Sequence, residues 1–302
     1  MDNPGVFDFP PITRLHQDRT RRIHTILSPG TEPKPSGLGQ AADYCLAHHV
    51  LEGAERAART GERATFDRYT ANPHADAATD STPTVLGPRI VVAPALTDLP
   101  RSPISETPYY VLGPDTEQAP IPLRTLAAGA FATAELTGFG TLLATHAVVV
   151  VLLRTKQPGQ RLDSWTITRL PGTVFLDHID DPTVLARDLI HEAGHNWLND
   201  ALTATGTKID DRATFHSPWK QSARPAFGFL HACWAFPLTM LYTAKVLEHA
   251  EGDMRGFLTA YLDQQRGHLA TTATDHPRAL RLLGDEGLRE RLAAVHRQAL
   301  TL

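Results

Sequence analysis

Thr173-Val174-Phe175-Leu176, followed after a short link by Asp181-Pro182-Thr183-Val184-Leu185-Ala186-Arg187-Asp188-Leu189-Ile190-His191-Glu192-Ala193-Gly194-His195, decides the fold. The first four residues are a continuous apolar and β-branched run, which reads as a covered strand. The hydrophobic period changes near Asp181. Asp181 suits a helix N-cap, and Pro182 suits the first helical position because its missing N–H has no helical partner to lose. Leu185, Leu189 and Ile190 then form one apolar face, and Gly206 supplies a stop. A strand therefore feeds a long amphipathic helix.

Upstream, Ala147-Val148-Val149-Val150-Val151-Leu152-Leu153 reads as a second strand covered on both faces, with a turn at Pro158-Gly159. Trp165–Thr168 reads as a further strand before the turn at Pro171-Gly172. Alternating Pro, Gly and short apolar runs over 84–121 suggest short strands, Ile90-Val91-Val92 among them. Ala-rich composition predicts a helix over 123–144, and residues 1–52 read as mostly helical. Downstream, helices are expected over 225–251, 253–271 and 277–299, with Pro237 kinking the first. The fold expected is a predominantly helical α+β domain, with a short sheet packed beside the helix that starts at Pro182. One domain, 1–302, is expected. It comprises a mainly helical part, 1–145, with a mobile loop near 70–83, and a core, 146–302, carrying the site described next.

The chain has 302 residues, 29 Lys+Arg against 33 Asp+Glu, and a net charge of −4. The slight acidic excess argues against a dedicated nucleic-acid binder. Two cysteines, Cys45 and Cys233, exclude a disulfide scaffold or a cysteine-rich zinc module. The uncharged stretch 136–153 mixes helix-like and strand-like halves, so no membrane span is expected. The opening residues lack a basic start followed by an apolar run, so a cytosolic protein is expected. Histidine, with 15 residues, is roughly twice its ordinary share, a hint of metal chemistry.

His191-Glu192-Ala193-Gly194-His195 gives the hint a place. Histidines at i and i+4 project from one helix face and can reach one metal ion, while the glutamate between them can handle a proton of a bound water. A catalytic metal needs a third protein ligand. Asn196 to Asp200 lack the Gly and His of the long zinc-protease signature. His231 and Glu248 are the candidates. His231 is favoured because it stands in the apolar run Phe227–Phe236, where a histidine must find a partner to offset its desolvation. Lys220 and Arg224 stand in a Pro-bounded aromatic stretch leading to His231, where a cation can face an anion. Arg212 is a further cation nearby.

From Leu170 to Leu238 the chain resembles the 2-oxoglutarate-dependent HExxH-type peptide β-hydroxylases, the HExxH motif-containing peptide-modification proteins of RiPP biosynthesis. Leu170-Pro171-Gly172, His191–His195, Pro218-Trp219-Lys220, Arg224-Pro225 and Phe229-Leu230-His231 carry the resemblance. Two departures are Ala193-Gly194 inside the motif and Lys220 where arginine is common. The resemblance implies Fe(II) on His191, His195 and His231, with 2-oxoglutarate and O₂ as co-substrates. It implies hydroxylation of a β-carbon in a ribosomally made precursor peptide. Arg224, helped by Lys220, is the expected partner of the distal carboxylate of 2-oxoglutarate, and Glu192 an orienting or catalytic group. The alternative is a zinc metallopeptidase with Glu192 as general base. A non-catalytic peptide-binding protein is the third class.

Overall fold

The computed structural model describes residues 5–30, 35–71, 81–99, 107–113, 115–210 and 212–302. Among them are ten α-helices, a four-stranded sheet and a two-stranded hairpin, a predominantly helical α+β fold. Helices α1 (Pro10–Leu27), α2 (Gln40–Thr60) and α3 (Arg63–Ala71) precede β1 (Ile90–Val92). Then come α4 (Ile121–Leu136), α5 (Gly140–His146), β2 (Val149–Thr155), β3 (Ser164–Trp165), β4 (Thr173–His178) and α6 (Pro182–Ala204). The hairpin β5 (Thr214–Ser217) and β6 (Ser222–Pro225) leads to α7 (Ala226–Leu247), α8 (Gly252–Ala270), α9 (Asp275–Leu280) and α10 (Glu286–Leu300). The mobile loop expected near 70–83 falls largely on 72–80, outside the described residues.

The sheet runs in the order β1-β2-β4-β3, with β1, β2 and β4 parallel and β3 antiparallel to β4. Side chains alternate between faces along a strand, and both faces here are apolar. Val91, Val150, Leu152, Val174 and Leu176 enter the main core, which extends from Val6 to Val295 and includes α4, α6 and α7. Ile90, Val92, Val149, Val151 and Phe175 enter a second core, closed by Ala42, Cys45 and Leu46 of α2. This is why the strands read as unbroken apolar runs. Gly172, just before β4, has φ +74°, and a Cβ there would lie 3.2 Å from the Cys45 Cβ, so α2 packs against backbone. Both cysteines are buried free thiols, and burial pushes each up to about 12.

The Asp181 carboxylate accepts from the backbone N–H groups of Thr183 (2.8 Å) and Val184 (3.0 Å), so the expected cap forms. Gly206, at φ +64°, follows the helix end. Several boundaries differ from the sequence reading. The helix expected over 123–144 divides at Gly138, whose φ of +81° no continuing helix accepts. The one expected over 277–299 divides because Asp285 caps a new helix through the Leu288 N–H at 2.7 Å. α7 runs through Pro237 without a break. The strand read at 165–168 shrinks to Ser164–Trp165, and the stretch around Lys220 is a hairpin. Among the described residues no helix is long and apolar enough to cross a membrane.

Burial of histidines gives the fold a pH signature. His49 sits 1% exposed between the Thr173 hydroxyl (2.8 Å from Nε2) and the Leu112 N–H, which donates to Nδ1 at 3.1 Å. His276 and His296 stack at 3.8 Å. Burial lowers His49 and His276 to about 3, and His48 and His296 to about 4, from 6.5. Below the unfolded value the unfolded chain binds more protons than the folded one, so stability falls as pH falls. The urea midpoint should hold near pH 7 and drop steadily from pH 6.5 towards pH 4. A midpoint that stays flat over that window would contradict this account.

Candidate metal centre

α6 carries His191, Glu192 and His195 under β3 and beside α7. The Nε2 atoms of His191 and His195 are 3.1 Å apart, a separation that two ligands of one ion adopt. One ligand atom each from His191, Glu192 and His195 lies within 4.8 Å of the others. His231, on the second turn of α7, brings its Nδ1 to 3.0 Å from His195 Nδ1. That is the nitrogen of His195 not turned to His191. The structure thus gathers the three histidines, with His231 meeting the far edge of the His195 ring. His231 Nε2 is buried without a hydrogen-bond partner.

The electrostatics favour neutral ligands. Burial is the largest cause in each case: it lowers His195 to about 4, and it holds His191 and His231 well below their ordinary value. The neighbouring histidines, with Arg187 and Lys220 for His191, push in the same direction. Neutral imidazoles present the lone pairs that a cation requires. Glu192 is 2% exposed, and burial raises its carboxyl to about 8, an effect partly offset by the Ser164 hydroxyl donating to Oε1 at 2.6 Å. Its Oε2 is buried and unpartnered. His191, Glu192 and His195 offer two nitrogens and an oxygen that fit a divalent cation such as Fe(II) or Zn(II), while His231, the third ligand expected from the sequence, stands outside this group at the Nδ1 edge of His195.

The Gly194 position controls how close α7 comes. A Cβ on Gly194 would lie 3.0 Å from Leu238 Cδ1 and 3.6 Å from Trp234 Nε1. Without it, the Trp234 indole N–H donates to the Gly194 carbonyl at 3.0 Å. Gly194 inside the HExxH motif is therefore a close-packing device in this chain.

A cavity of about 480 Å³ opens beside His191, walled by Ser164, Arg187, Asp188, Phe236, Thr239, Phe257 and Tyr261 among others. Phe236 lies 4.8 Å from the His191 ring and stacks on Trp219 at 4.6 Å, which shields the histidine from water. Arg187, one turn before His191, is 7% exposed. Its Nε and Nη2 are each 2.8 Å from Asp188 Oδ1, and the guanidinium lies over the Tyr261 ring at 4.7 Å.

Arg224 and Lys220, the cations expected from the sequence to face an anion, do not line this cavity, whereas Arg187 does. Arg224 lies on fully exposed β6, its guanidinium over Gly228, and it is not in the cavity wall. Lys220 is exposed in the β5–β6 turn, on the side that affects His191. Arg212 is also exposed. Arg187 and Asp188 were missed. The available signal was spacing: Arg187, His191 and His195 stand at i, i+4 and i+8, on one helix face. Glu248 is ruled out as third ligand, because 17 residues of the same helix separate it from His231, about 25 Å at 1.5 Å per residue.

No protein-family model and no curated protein matches this chain.

Substituting His191 or His195 with alanine should cost the protein one metal equivalent, measured by elemental analysis after dialysis, whereas His249→Ala, on the surface, should cost none. Gly194→Val should overpack the α6–α7 contact, destabilising the fold by about 1–3 kcal/mol in urea titration. It should also weaken metal retention by moving His231. Unchanged stability in Gly194→Val would show that the contact is not tight.

Proposed function

We propose that the chain is an Fe(II)/2-oxoglutarate-dependent hydroxylase, using O₂, that acts on the β-carbon of a residue in a ribosomally made precursor peptide. The observation that carries this reading is a buried guanidinium in the same cavity wall as a metal-ligand histidine, Arg187 with His191. A dicarboxylate that reaches the metal with one end needs a cation at the other. The peptide class rests on the sequence resemblance.

His191 and His195 would hold the iron through their neutral Nε2 atoms, with His231 as third ligand once its ring leaves the Nδ1 edge of His195, and further coordination positions would remain for small ligands. The chemistry the bound group supplies is oxidation of 2-oxoglutarate to succinate and CO₂, with one oxygen atom inserted into a C–H bond. The residues around it have separate tasks. Arg187 binds the distal carboxylate through guanidinium N–H groups, and Asp188 orients that guanidinium. Phe236 and Trp219 keep bulk water from His191. Glu192, held by Ser164 at Oε1, accepts or returns a proton at Oε2, the oxygen that is buried without a partner.

Glu192 also sustains the second reading, a zinc metallopeptidase, since its carboxylate lies in the same 4.8 Å group as the two histidines and can act as general base. Incubation with Fe(II), 2-oxoglutarate and candidate precursor peptides separates the two. The hydroxylase yields succinate and a peptide heavier by one oxygen, whereas the peptidase yields cleaved peptide with no need of 2-oxoglutarate.

Arg187→Lys should weaken 2-oxoglutarate binding, because an ammonium loses the planar fork. The paired variant Arg187→Gln/Asp188→Asn removes both charges without leaving one buried alone. It should lose about 1.5–3 kcal/mol, or roughly ten- to a hundredfold in affinity, with iron content retained. Arg224→Ala should bind nearly as the wild type does. If Arg224→Ala loses affinity and the paired variant does not, the carboxylate lies on the hairpin side instead.

A further inference from the structure

We propose that His16, His146 and Asp200 form a second divalent-cation site, of the zinc class, which cross-links α1, α5 and α6. The site is independent of the hydroxylase reading. Asp200 lies five residues beyond His195 on α6, which turns it about 140° around the helix to another face. His16 Nε2 is 2.8 Å from Asp200 Oδ2, and His146 Nδ1 is 3.4 Å from the same oxygen. All three ligand atoms lie within 4.8 Å of one another. The residues are only 2%, 2% and 4% exposed.

Hydrogen bonding alone does not account for this cluster. The Tyr44 hydroxyl donates to Asp200 Oδ1 at 3.1 Å and His16 meets Oδ2, but buried His146 Nδ1, 3.4 Å from Oδ2, makes no well-formed hydrogen bond. That nitrogen is aimed at the oxygen His16 already uses. Zinc holds imidazole nitrogen and carboxylate oxygen at about 2.0–2.2 Å, so ligand atoms sharing one ion stand about 3–3.5 Å apart. The 3.4 Å separation falls within that range, and the 2.8 Å one, a hydrogen-bond length, opens by a few tenths of an ångström when an ion replaces the proton. Two imidazoles and one carboxylate form a donor set that zinc accepts, with water as a fourth ligand.

The surroundings hold the ligands in place. Tyr44 fixes the carboxylate through Oδ1, leaving Oδ2 to face the histidines, and its ring stacks on His16 at 3.9 Å. Arg19 also interacts with the Tyr44 hydroxyl. Asn196 donates to the His146 carbonyl at 3.0 Å and pins the end of α5 to α6. Because His16, His146 and Asp200 are far apart in the sequence, an ion shared by them ties distant segments and adds its binding free energy to folding.

The test uses the full chain with the first centre removed, His191→Ala/His195→Ala, so failure here is separable from failure of the proposed function. After zinc loading and dialysis, elemental analysis should find about one equivalent per chain, and cobalt loading should give visible d–d absorption. Adding Asp200→Asn should cut the metal to below about 0.1 equivalent, while the asparagine still accepts from Tyr44. His146→Gln is the second variant and should do the same. Chelator should lower the melting temperature of the double variant but not that of the triple one. If the double variant is folded by circular dichroism yet retains no metal and gives no cobalt spectrum, the cluster is a hydrogen-bonded network and the proposal fails.

Discussion

One hydrogen bond sets the spacing on which the candidate metal centre depends, that from the Trp234 indole to the Gly194 carbonyl across the α6–α7 contact. Gly194 precedes His195, and Trp234 follows His231 by three residues. The contact that brings the two backbones together therefore brings the two imidazoles together as well. Trp197 stacks on Trp234 at 4.6 Å and fills the space below, so the approach is braced by aromatic packing. The absence of a side chain at one position thus determines where a ligand on a different helix stands.

The second organising fact is desolvation. The centre gathers groups that water would otherwise solvate, and each is handled differently. The histidines give up their protons and remain neutral. Arg187 keeps its charge because Asp188 matches it and two aromatic rings cover it. Glu192 keeps its proton more readily than an exposed carboxyl does, with a single hydroxyl as partner. A cation bound at the histidines would reverse that preference for Glu192, since a metal ion outweighs other local charges. Protonation of the glutamate and occupancy of the centre are therefore linked.

Much of this was legible in the sequence, because local rules governed it. Asp181 and Pro182 mark the helix start through hydrogen bonding and a fixed φ, and the β-branched runs of β2 and β4 reflect a sheet covered on both sides. HExxH spacing and an apolar helix around His231 were enough to bring three histidines together. Other features depend on tertiary packing and leave no local trace. Arg187 reads as a solvated helix charge until α8 supplies Phe257 and Tyr261 above it. The hairpin at 214–225 lacks alternation because β6 is exposed on both faces. His16, His146 and Asp200 belong to three helices with no common spacing, so only the folded chain relates them. Arg224 is suggested by analogy of motif, and the hairpin sets its guanidinium over Gly228, outside the residues that line the cavity beside His191.

The two thiols have a practical meaning. Cys45 lies between α2 and the sheet and Cys233 within α7, in separate cores, and neither ionises near neutral pH. A thiol of this kind reacts with alkylating agents only when its surroundings open. The protein thus carries two built-in clocks, one for the sheet face that packs on α2 and one for the helical layer behind the histidines. Their labelling rates separate loosening of one layer from loosening of the other without any introduced probe.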